Sequence, residues 1–141
     1  MREIITLHVG GCGNRVSQSI WGRLLDEHSI SPDGTALPTE DKRSSTSLQT
    51  YFHEQDKKWV PRSVQVDLSD RAIDAIRTSP LSHLFDHTNQ IGGKAASRGT
   101  YSFGHNSEES QAVFDIAMEA LRKEYEKCDS AEFTQITHSA S

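Results

Sequence analysis

The apolar and polar positions of the first 28 residues predict a buried strand followed by an amphipathic helix. Residues 3–9 are rich in apolar and β-branched types and stop at a glycine cluster, as a buried strand does. From Val16 to about His28 the apolar residues recur at helical spacing. Residues 10–14, Gly-Gly-Cys-Gly-Asn, therefore predict a turn between strand and helix that few residues other than glycine can form.

Residues 31–58 carry no sustained periodicity and predict a long surface loop within the domain. Two prolines, a charged cluster at 40–43 and a serine- and threonine-rich run at 44–47 interrupt regular structure. A short strand near residues 48–52 is the one regular element expected there.

Strands and helices alternate from residue 62 onward. Apolar and polar residues alternate over 62–68, which predicts a second strand. A short helix capped by Ser69 or Asp70 is expected to end at Arg77. The remaining expected elements are a helical turn at 80–85, a strand near 90–91, a loop at 92–105, a long helix capped by Asn106 or Ser107, and a strand at 132–138.

The long helix is the clearest of these elements, with a predicted inner stripe of Val113, Ile116, Ala117, Ala120 and Leu121. Because strands and helices alternate, we expect an α/β fold, a Rossmann-like parallel sheet with helices on both faces. Ligands of such sheets bind outside the carboxyl ends of the strands.

Composition and charge exclude several classes of protein. The 141 residues suffice for one domain, and a net charge of −5 disfavours binding to nucleic acid or anionic membranes. No apolar run approaches the roughly 20 residues of a membrane-spanning helix, and the short run at 4–9 predicts no secretory signal. Cys12 and Cys128 match no metal-binding spacing, so we expect a reduced cytosolic protein.

The glycine turn is the strongest candidate for a binding site. Glycines let a phosphate approach the backbone, and the start of the following helix offers unpaired N–H groups and the positive end of the helix dipole. No Gly-Lys-Ser/Thr follows, so it is not a Walker A loop, and the GxGxxG spacing of dinucleotide folds is incomplete. The alternative is a tight turn without a ligand.

Two further segments at predicted strand ends carry polar side chains. Asp67 and Ser69 can hold hydrated Mg²⁺ or a ribose hydroxyl, with a helix cap as the alternative. Residues 94–100, Lys-Ala-Ala-Ser-Arg-Gly-Thr, offer two cations and two hydroxyls to a terminal phosphate, with a solvated loop as the alternative.

The other reactive side chains favour structural roles. His83 and His87 fit one helical face, but the absence of an obvious third ligand disfavours a metal site. Cys12 has no base or acid beside it in sequence and is interpreted as a small packing residue of the turn, and His8 is interpreted as structural. No sequence-local acid pair or Ser-His-Asp arrangement supports an independent enzyme.

A series of motifs, in order and spacing, resembles eukaryotic tubulins. It comprises Met1-Arg2-Glu3-Ile4, Gly10-x-Cys12-Gly13-Asn14, Trp21, Asp26-Glu27-His28-x-Ile30-x-Pro32-x-Gly34, Trp59-Val60-Pro61-Arg62, Pro80, Gly104-His105, Arg122-Lys123-Glu124, Cys128-Asp129 and Thr137-His138-Ser139. The chain resembles roughly the first third of a tubulin, so residues 1–141 are expected to form an incomplete nucleotide-binding GTPase domain.

The resemblance implies GTP and Mg²⁺ as cofactors. By position it places the nucleotide near Gly10, Gly11, Cys12, Arg15, Asp67, Ser69, Ser97, Arg98, Gly99, Thr100 and Ser139, with Asp67 and Ser69 as the metal contacts. No catalytic residue is expected in this chain, because the resemblance places the acid that activates hydrolysis in the later half of the neighbouring subunit.

The chain departs from the tubulin pattern at several of these positions. Tubulins usually carry glutamine where Gly11 and Arg15 stand, and commonly glutamate where Ser69 stands, so contacts to phosphate and magnesium are lost. Residues 96–101 read Ala-Ser-Arg-Gly-Thr-Tyr instead of Gly-Ala-Gly-Asn-Asn-Trp. The glycine-rich signature loop expected after Ser139 is not contained in this sequence.

Together the resemblance predicts a GTP-binding structural subunit of microtubules or a related cytoskeletal polymer, here with a partial nucleotide site. The alternative is a non-enzymatic module that binds tubulin partners without productive GTP binding. The expected partners are other tubulin subunits, with neither nucleic acid nor membrane. The expected location is the cytoplasm and its cytoskeleton, in microtubules, basal bodies or centrioles.

Overall fold

The fold is a four-stranded parallel sheet with helices on both faces and a separate short hairpin. A computed structural model describes residues 2–38, 45–94 and 100–140. In chain order its elements are β1 (Glu3–Val9), α1 (Gly10–His28), α2 (Ser45–Tyr51), β2 (Phe52–Gln55), β3 (Lys58–Pro61), β4 (Ser63–Asp67), α3 (Asp70–Arg77), a 3₁₀ turn (His87–Asn89), β5 (Gln90–Gly92), α4 (Tyr101–Asn106), α5 (Glu108–Glu126) and β6 (Ala131–Thr137). The parallel sheet has the order β5-β4-β1-β6, and β2 pairs with β3 in antiparallel fashion.

Two hydrophobic cores lie on opposite faces of the sheet. The core on the α1 and α3 side contains Trp21, Leu25, Ile30, Phe52, Ile76, Leu84 and Phe85. The core under α5 contains Val64, Ile91, Val113 and Ala120. Because successive residues of a strand point to opposite faces, β4 contributes Val64 to the α5 side and Gln65 to the α1 side. This arrangement confirms the expected Rossmann-like α/β architecture.

Helix α1 begins at Gly10 rather than at Val16, so the expected glycine turn is the first turn of the helix. Gly10 has a φ of 74°, which lets the chain leave β1 and enter the helix within one residue. The Nδ2 of Asn14 donates a hydrogen bond to the carbonyl oxygen of Gly10 at 2.9 Å. The sequence pattern missed this start because three glycines in four positions mask helix propensity.

Part of the expected 31–58 loop is regular structure. Helix α2 occupies most of the segment where a strand at 48–52 was expected, and the β2–β3 hairpin follows it. Asp56 and Lys57 have φ values of 50° and 64°, the left-handed values of a type I′ hairpin turn. Aspartate is a usual first residue of this turn, but lysine stands where glycine is usual, so only half of the sequence signal is present. Residues 39–44 of the expected loop lie outside the described residues.

Most expected elements of the second half are confirmed, as are their caps. Strands β4, β5 and β6 and helices α3 and α5 lie within a few residues of their predicted positions. The Oγ of Ser69 caps α3 by accepting from the backbone N–H of Arg71, and Ser107 caps α5 by accepting from that of Ser110. The expected loop at 92–105 is partly wrong, because α4 begins at Tyr101.

The inner stripe of α5 differs from the expected one. Ile116 is 55% exposed, and the buried residues of the helix are Ser110, Val113, Ala120 and Glu124. Glu124 is buried because Asn89 and Lys127 donate hydrogen bonds to its carboxylate. Because two of these four buried residues, Ser110 and Glu124, are polar, the spacing of apolar residues alone does not predict which face of α5 is buried. Within the described ranges, none of the helices has the length and apolar character needed to cross a membrane.

A buried histidine–tryptophan pair links β1 to α1. His8 and Trp21 are both fully buried, and the indole Nε1–H of Trp21 donates to Nε2 of His8 at 3.2 Å. Burial lowers the pKa of His8 from 6.5 to about 4, because the imidazolium would lose its hydration inside the protein. The pair supports a structural role for His8.

We expect the free energy of unfolding to fall as the pH is lowered from 6.5 to about 4. His8 is neutral in the folded state over this range but takes up a proton when the chain unfolds, so acid favours unfolding. At pH 5 the loss should be about 2 kcal/mol relative to neutral pH. Urea unfolding at pH 7.5 and pH 5 measures it.

His8→Gln, which offers an amide oxygen to Trp21, should remove the part of this loss that His8 contributes, about 2 kcal/mol at pH 5. Burial also lowers the pKa of His53, so a smaller acid-dependent loss should remain in this variant. His105→Gln, at an exposed position of α4, should leave the loss unchanged. An equal pH dependence in wild type and His8→Gln would show that another group is responsible.

Candidate functional site

The parallel strands end at one edge of the sheet, where several of the predicted site residues lie. Gly10 and Gly11 follow β1 directly, Asp67 is the last residue of β4, and Ser139 comes two residues after β6. Since β1 lies between β4 and β6, the glycine segment is central at this edge. This is the position at which ligands of parallel α/β sheets bind.

The start of α1 presents backbone donors that the side chain of its N-cap residue does not cap. Val9 occupies the N-cap position without a side-chain hydrogen bond, and the first turn carries no acidic residue. The first N–H groups of a helix have no acceptor within the helix, and they lie at the positive end of its dipole. A Cβ atom placed on Gly10 or Gly11 would meet nothing within 4 Å in the part of the chain that the structure describes, so these residues leave the space beside them open. These features fit an anion such as a phosphate group.

Cys12 and Arg15 lie on the exposed side of the first turns of α1. The expectation that Cys12 is a packing residue is wrong, because the segment is helical and directs this residue to solvent. Arg15 lies four residues after Gly11, so both are on the same face of the helix. Arg15 is exposed on this face and places a positive charge near the start of the helix.

Local hydrogen bonds fix the corner after β4. The Oδ1 of Asp67 accepts from the backbone N–H of Ser69 at 3.1 Å, and the N–H of Gly93 donates to the carbonyl oxygen of Asp67 at 2.9 Å. The Oγ of Ser69 accepts from Arg71 N–H at 3.4 Å, so the helix-cap alternative for Ser69 is observed. Among the described residues, no hydrogen bond engages Oδ2 of Asp67.

This corner does not form a metal centre from protein groups alone. Among the residues that the structure describes, no cluster of three or more His, Cys, Asp or Glu side chains is placed to hold a metal. Magnesium commonly binds through one or two carboxylates and completes its shell with water and phosphate oxygens. Asp67 fits that arrangement beside a bound phosphate, whereas Ser69, engaged as a cap, fits it less well.

The third predicted loop is placed only at its end. Ser97, Arg98 and Gly99 lie outside the described residues. Thr100 is exposed immediately before α4, and its carbonyl oxygen accepts from the N–H of Gly104. Gly104 lines the same cavity as Gly10, Gly11 and Asp67, which brings this end of the loop towards the glycine segment.

Close packing holds the end of β6 against α1. A Cβ atom on Gly13 would lie 2.3 Å from the carbonyl oxygen of Thr137, so only glycine allows this approach. Ser139 is exposed just beyond this contact, and its carbonyl oxygen lies 2.7 Å from Nδ1 of His138. The contact fixes the direction in which the chain leaves β6 towards Ser139.

A cavity of about 530 Å³ adjoins the glycine segment between the sheet and α5. Most of its lining is apolar and includes Leu7, Val9, Val66, Val113, Phe114 and Met118. Asp67 is its acidic lining residue. Among the described residues that line this cavity, the groups suited to a phosphate or its metal ion are at the start of α1 and at Asp67.

Asn14 is a residue of this region that the sequence reasoning did not single out. It is fully buried, and its Nδ2 donates both to Gly10 and to the carbonyl oxygen of Val66 at 3.0 Å. Its Oδ1 is buried without a hydrogen-bond partner among the described residues. The available signal was an amide residue that directly follows the glycines on the inner face of the helix.

Comparisons with known proteins agree with this geometry. The sequence model of the Tubulin/FtsZ family, GTPase domain, matches residues 3–141. Over 140 residues, or 99% of this chain, the identity is 39% to the tubulin beta chain of Saccharomyces cerevisiae and 40% to the tubulin beta-1 chain of Colletotrichum graminicola. The chain spans 30% and 31% of the lengths of these two relatives. The match to the family model over nearly all of its residues shows that this chain belongs to the Tubulin/FtsZ family.

Proposed function

We propose that this chain forms the amino-terminal, phosphate-binding part of a GTP-binding tubulin-type subunit that assembles into microtubules or a related cytoskeletal polymer. The observation that carries this proposal is the uncapped start of α1 at the carboxyl edge of the sheet, with open space beside Gly10 and Gly11. Membership of the family and the similarity to beta-tubulin chains support it. Its partners are then other tubulin subunits, and its location is the cytoplasmic cytoskeleton, in microtubules, basal bodies or centrioles.

In this proposal the nucleotide lies with its phosphates against the first turn of α1. The N–H groups of Gly11 and Cys12 donate to phosphate oxygens, and Arg15 adds a positive charge. Asp67 faces the phosphates through Mg²⁺ and water. The remaining proposed nucleotide contacts are Gly10, Ser69, Ser97, Arg98, Gly99, Thr100 and Ser139.

The proposed site is partial. Gly11 provides no side chain to the phosphates, and Ser69 provides a neutral hydroxyl, which also accepts a hydrogen bond from the N–H of Arg71, where a carboxylate would bind magnesium more strongly. We therefore expect this chain to bind GTP with a dissociation constant in the millimolar rather than the micromolar range. Because the start of α1 and Asp67 contact phosphates and not a base in this proposal, ATP and inorganic triphosphate should bind about as well as GTP.

Gly11→Gln should tighten the binding of Mg²⁺–triphosphate by about tenfold, since a hydrogen bond to a charged group contributes about 1.5–3 kcal/mol. A side chain fits there, because a Cβ atom on Gly11 meets nothing within 4 Å. Calorimetric titration of wild type and variant with GTP and inorganic triphosphate measures the change.

Gly22→Gln is the matched control, because Gly22 lies in the same helix, is also unobstructed and is remote from the turn. It should share any gain in helix stability but leave the affinity unchanged. Micromolar, guanine-specific binding by the wild type would contradict a partial site. Equal affinities for the Gly11 and Gly22 variants would contradict a phosphate position beside Gly11.

The alternative is a non-enzymatic module that binds tubulin partners without productive GTP binding. It is favoured by β6, which lies at the edge of the sheet and exposes 49% of Phe133 and 56% of Ile136. An edge strand with exposed apolar residues can pair with another chain. Failure of both the wild type and Gly11→Gln to bind any triphosphate at millimolar concentration would favour this module.

A further inference from the structure

We propose that Asn14 is a positioning residue that fixes the glycine turn of α1 against the end of β4. This inference rests on the nucleotide site proposed above. Asn14 is fully buried, so it does not itself reach a ligand in this structure. It acts through Gly10 and Val66, whose carbonyl oxygens accept hydrogen bonds from its Nδ2 at 2.9 and 3.0 Å.

These two acceptors belong to the two halves of the proposed site. Gly10 begins the turn that faces the phosphates, and Val66 immediately precedes Asp67. One amide group therefore sets the distance between the backbone donors of the turn and the only carboxylate that we place at the phosphates. A small displacement of either half would misplace donors that must converge on one ligand.

The orientation of the amide group points to this role. Both acceptors are carbonyl oxygens, so the nitrogen of the side chain must face them, and Oδ1 is left buried without a partner in the described residues. A buried oxygen without a partner is unfavourable, and a well-packed apolar side chain would avoid it. Packing alone does not account for an amide at this position.

The main chain of Asn14 is tied to β4 as well. The hydroxyl of Ser17 donates to the carbonyl oxygen of Asn14 at 2.7 Å, and Nε2 of Gln65 donates to that hydroxyl at 3.4 Å. The side chain and the main chain of Asn14 thus bind the early part of α1 to neighbouring residues of the same strand. Such supporting contacts hold the groups that touch a ligand.

The test compares Asn14→Ala, Asn14→Ser and Asn89→Ala in the full chain. Asn89 is the matched control, because it is also a buried asparagine whose Nδ2 donates a hydrogen bond, here to Glu124, but it precedes β5 and so lies at the opposite edge of the sheet. Serine at position 14 can still bond to the carbonyl oxygen four residues earlier but is too short to reach Val66 as well.

Backbone amide NMR shifts of Gly10, Gly11 and Asp67 report the geometry of the site without a ligand. Asn14→Ala should move all three, Asn14→Ser should move Asp67 while leaving Gly10 near its wild-type position, and Asn89→Ala should move none. Titration with Mg²⁺ and inorganic triphosphate should show about tenfold weaker binding for Asn14→Ala and less than twofold for Asn89→Ala.

The two proposals fail in different ways. Absence of triphosphate binding by the wild type would overturn the proposed nucleotide site, while the amide shifts would still decide the role of Asn14. Amide shifts in the Asn14 variants no larger than those in Asn89→Ala would overturn the positioning role even if triphosphate binds. Should Asn14→Ala not fold, Asn14→Ser carries the same comparison.

Discussion

Replacing Trp21 with alanine should lower the free energy of unfolding by about 3–5 kcal/mol. Trp21 is fully buried, and its ring contacts those of Phe52 and Phe85 edge-on, with centroids 5.4 and 6.3 Å apart. Alanine would leave a cavity between α1, the hairpin and the segment after α3. It would also leave Nε2 of His8 without its donor. Domains of this size are typically stable by about 5–15 kcal/mol, so this loss is a large part of the total.

Urea unfolding followed by far-UV circular dichroism measures the effect without relying on the fluorescence of the removed indole. Trp21→Phe, which keeps an aromatic ring but loses the N–H, should cost about 1–2 kcal/mol. Trp59→Ala, at a half-buried position of β3, should cost clearly less than Trp21→Ala. A loss below about 1 kcal/mol for Trp21→Ala would contradict its place at the centre of this core.

Elements with local signals were predictable from the sequence. Ser69 and Ser107 are the N-cap residues of α3 and α5. Their hydroxyls accept hydrogen bonds from the first turn, and capping depends on residues close in sequence. Strand β4 was predictable because its side chains alternate between the two faces of the sheet, which appears in the sequence as alternating apolar and polar residues. The position of the glycines and Asp67 at one edge then follows from parallel pairing.

Features that depend on distant partners were not predictable. Glu124 lies on the buried face of α5, where Asn89, 35 residues away, donates to its carboxylate together with the nearby Lys127. Asn14 acquires its position from Val66, 52 residues away. Periodicity treats both side chains as solvated polar residues, because it contains no information on tertiary hydrogen bonds. The helical start at Gly10 and the Asp56–Lys57 turn were not predicted for another reason. Glycine disfavours the interior of a helix, and lysine disfavours the positive φ of the turn.

A buried ion pair is a third such long-range feature. Arg62 and Glu3 are 59 positions apart, their side chains are 4% and 3% exposed, and Nη2 lies 3.4 Å from Oε1. Arg62 also donates to the carbonyl oxygens of Gln49 and Lys127, and Glu3 accepts from the backbone N–H groups of Asp129 and Ser130. The pair therefore connects the start of β1, the start of β4 and the turn before β6.

Replacing Arg62 with methionine should lower the free energy of unfolding by about 3–5 kcal/mol, because the carboxylate of Glu3 would stay buried without its counter-charge. Arg77→Met is the matched control. Arg77 pairs with Asp74 at the same distance of 3.4 Å, but these side chains are 41% and 62% exposed. Exposed pairs contribute about 0–1 kcal/mol, so the control should lose little. Urea unfolding at neutral pH compares the two variants.

A double-mutant cycle separates the ion pair from the packing of the arginine side chain. Glu3→Gln removes the buried negative charge, so in that background Arg62→Met should cost about 1–3 kcal/mol less than in the wild type. Additive losses would mean that Arg62 stabilises the chain through packing and its bonds to carbonyl oxygens alone. A coupling of the expected size would instead mean that the charges of two residues far apart in sequence hold the first strand to the rest of the sheet. The amino-terminal strand carries the glycine segment, so the same pair would then also support the proposed phosphate-binding edge from the opposite end of β1.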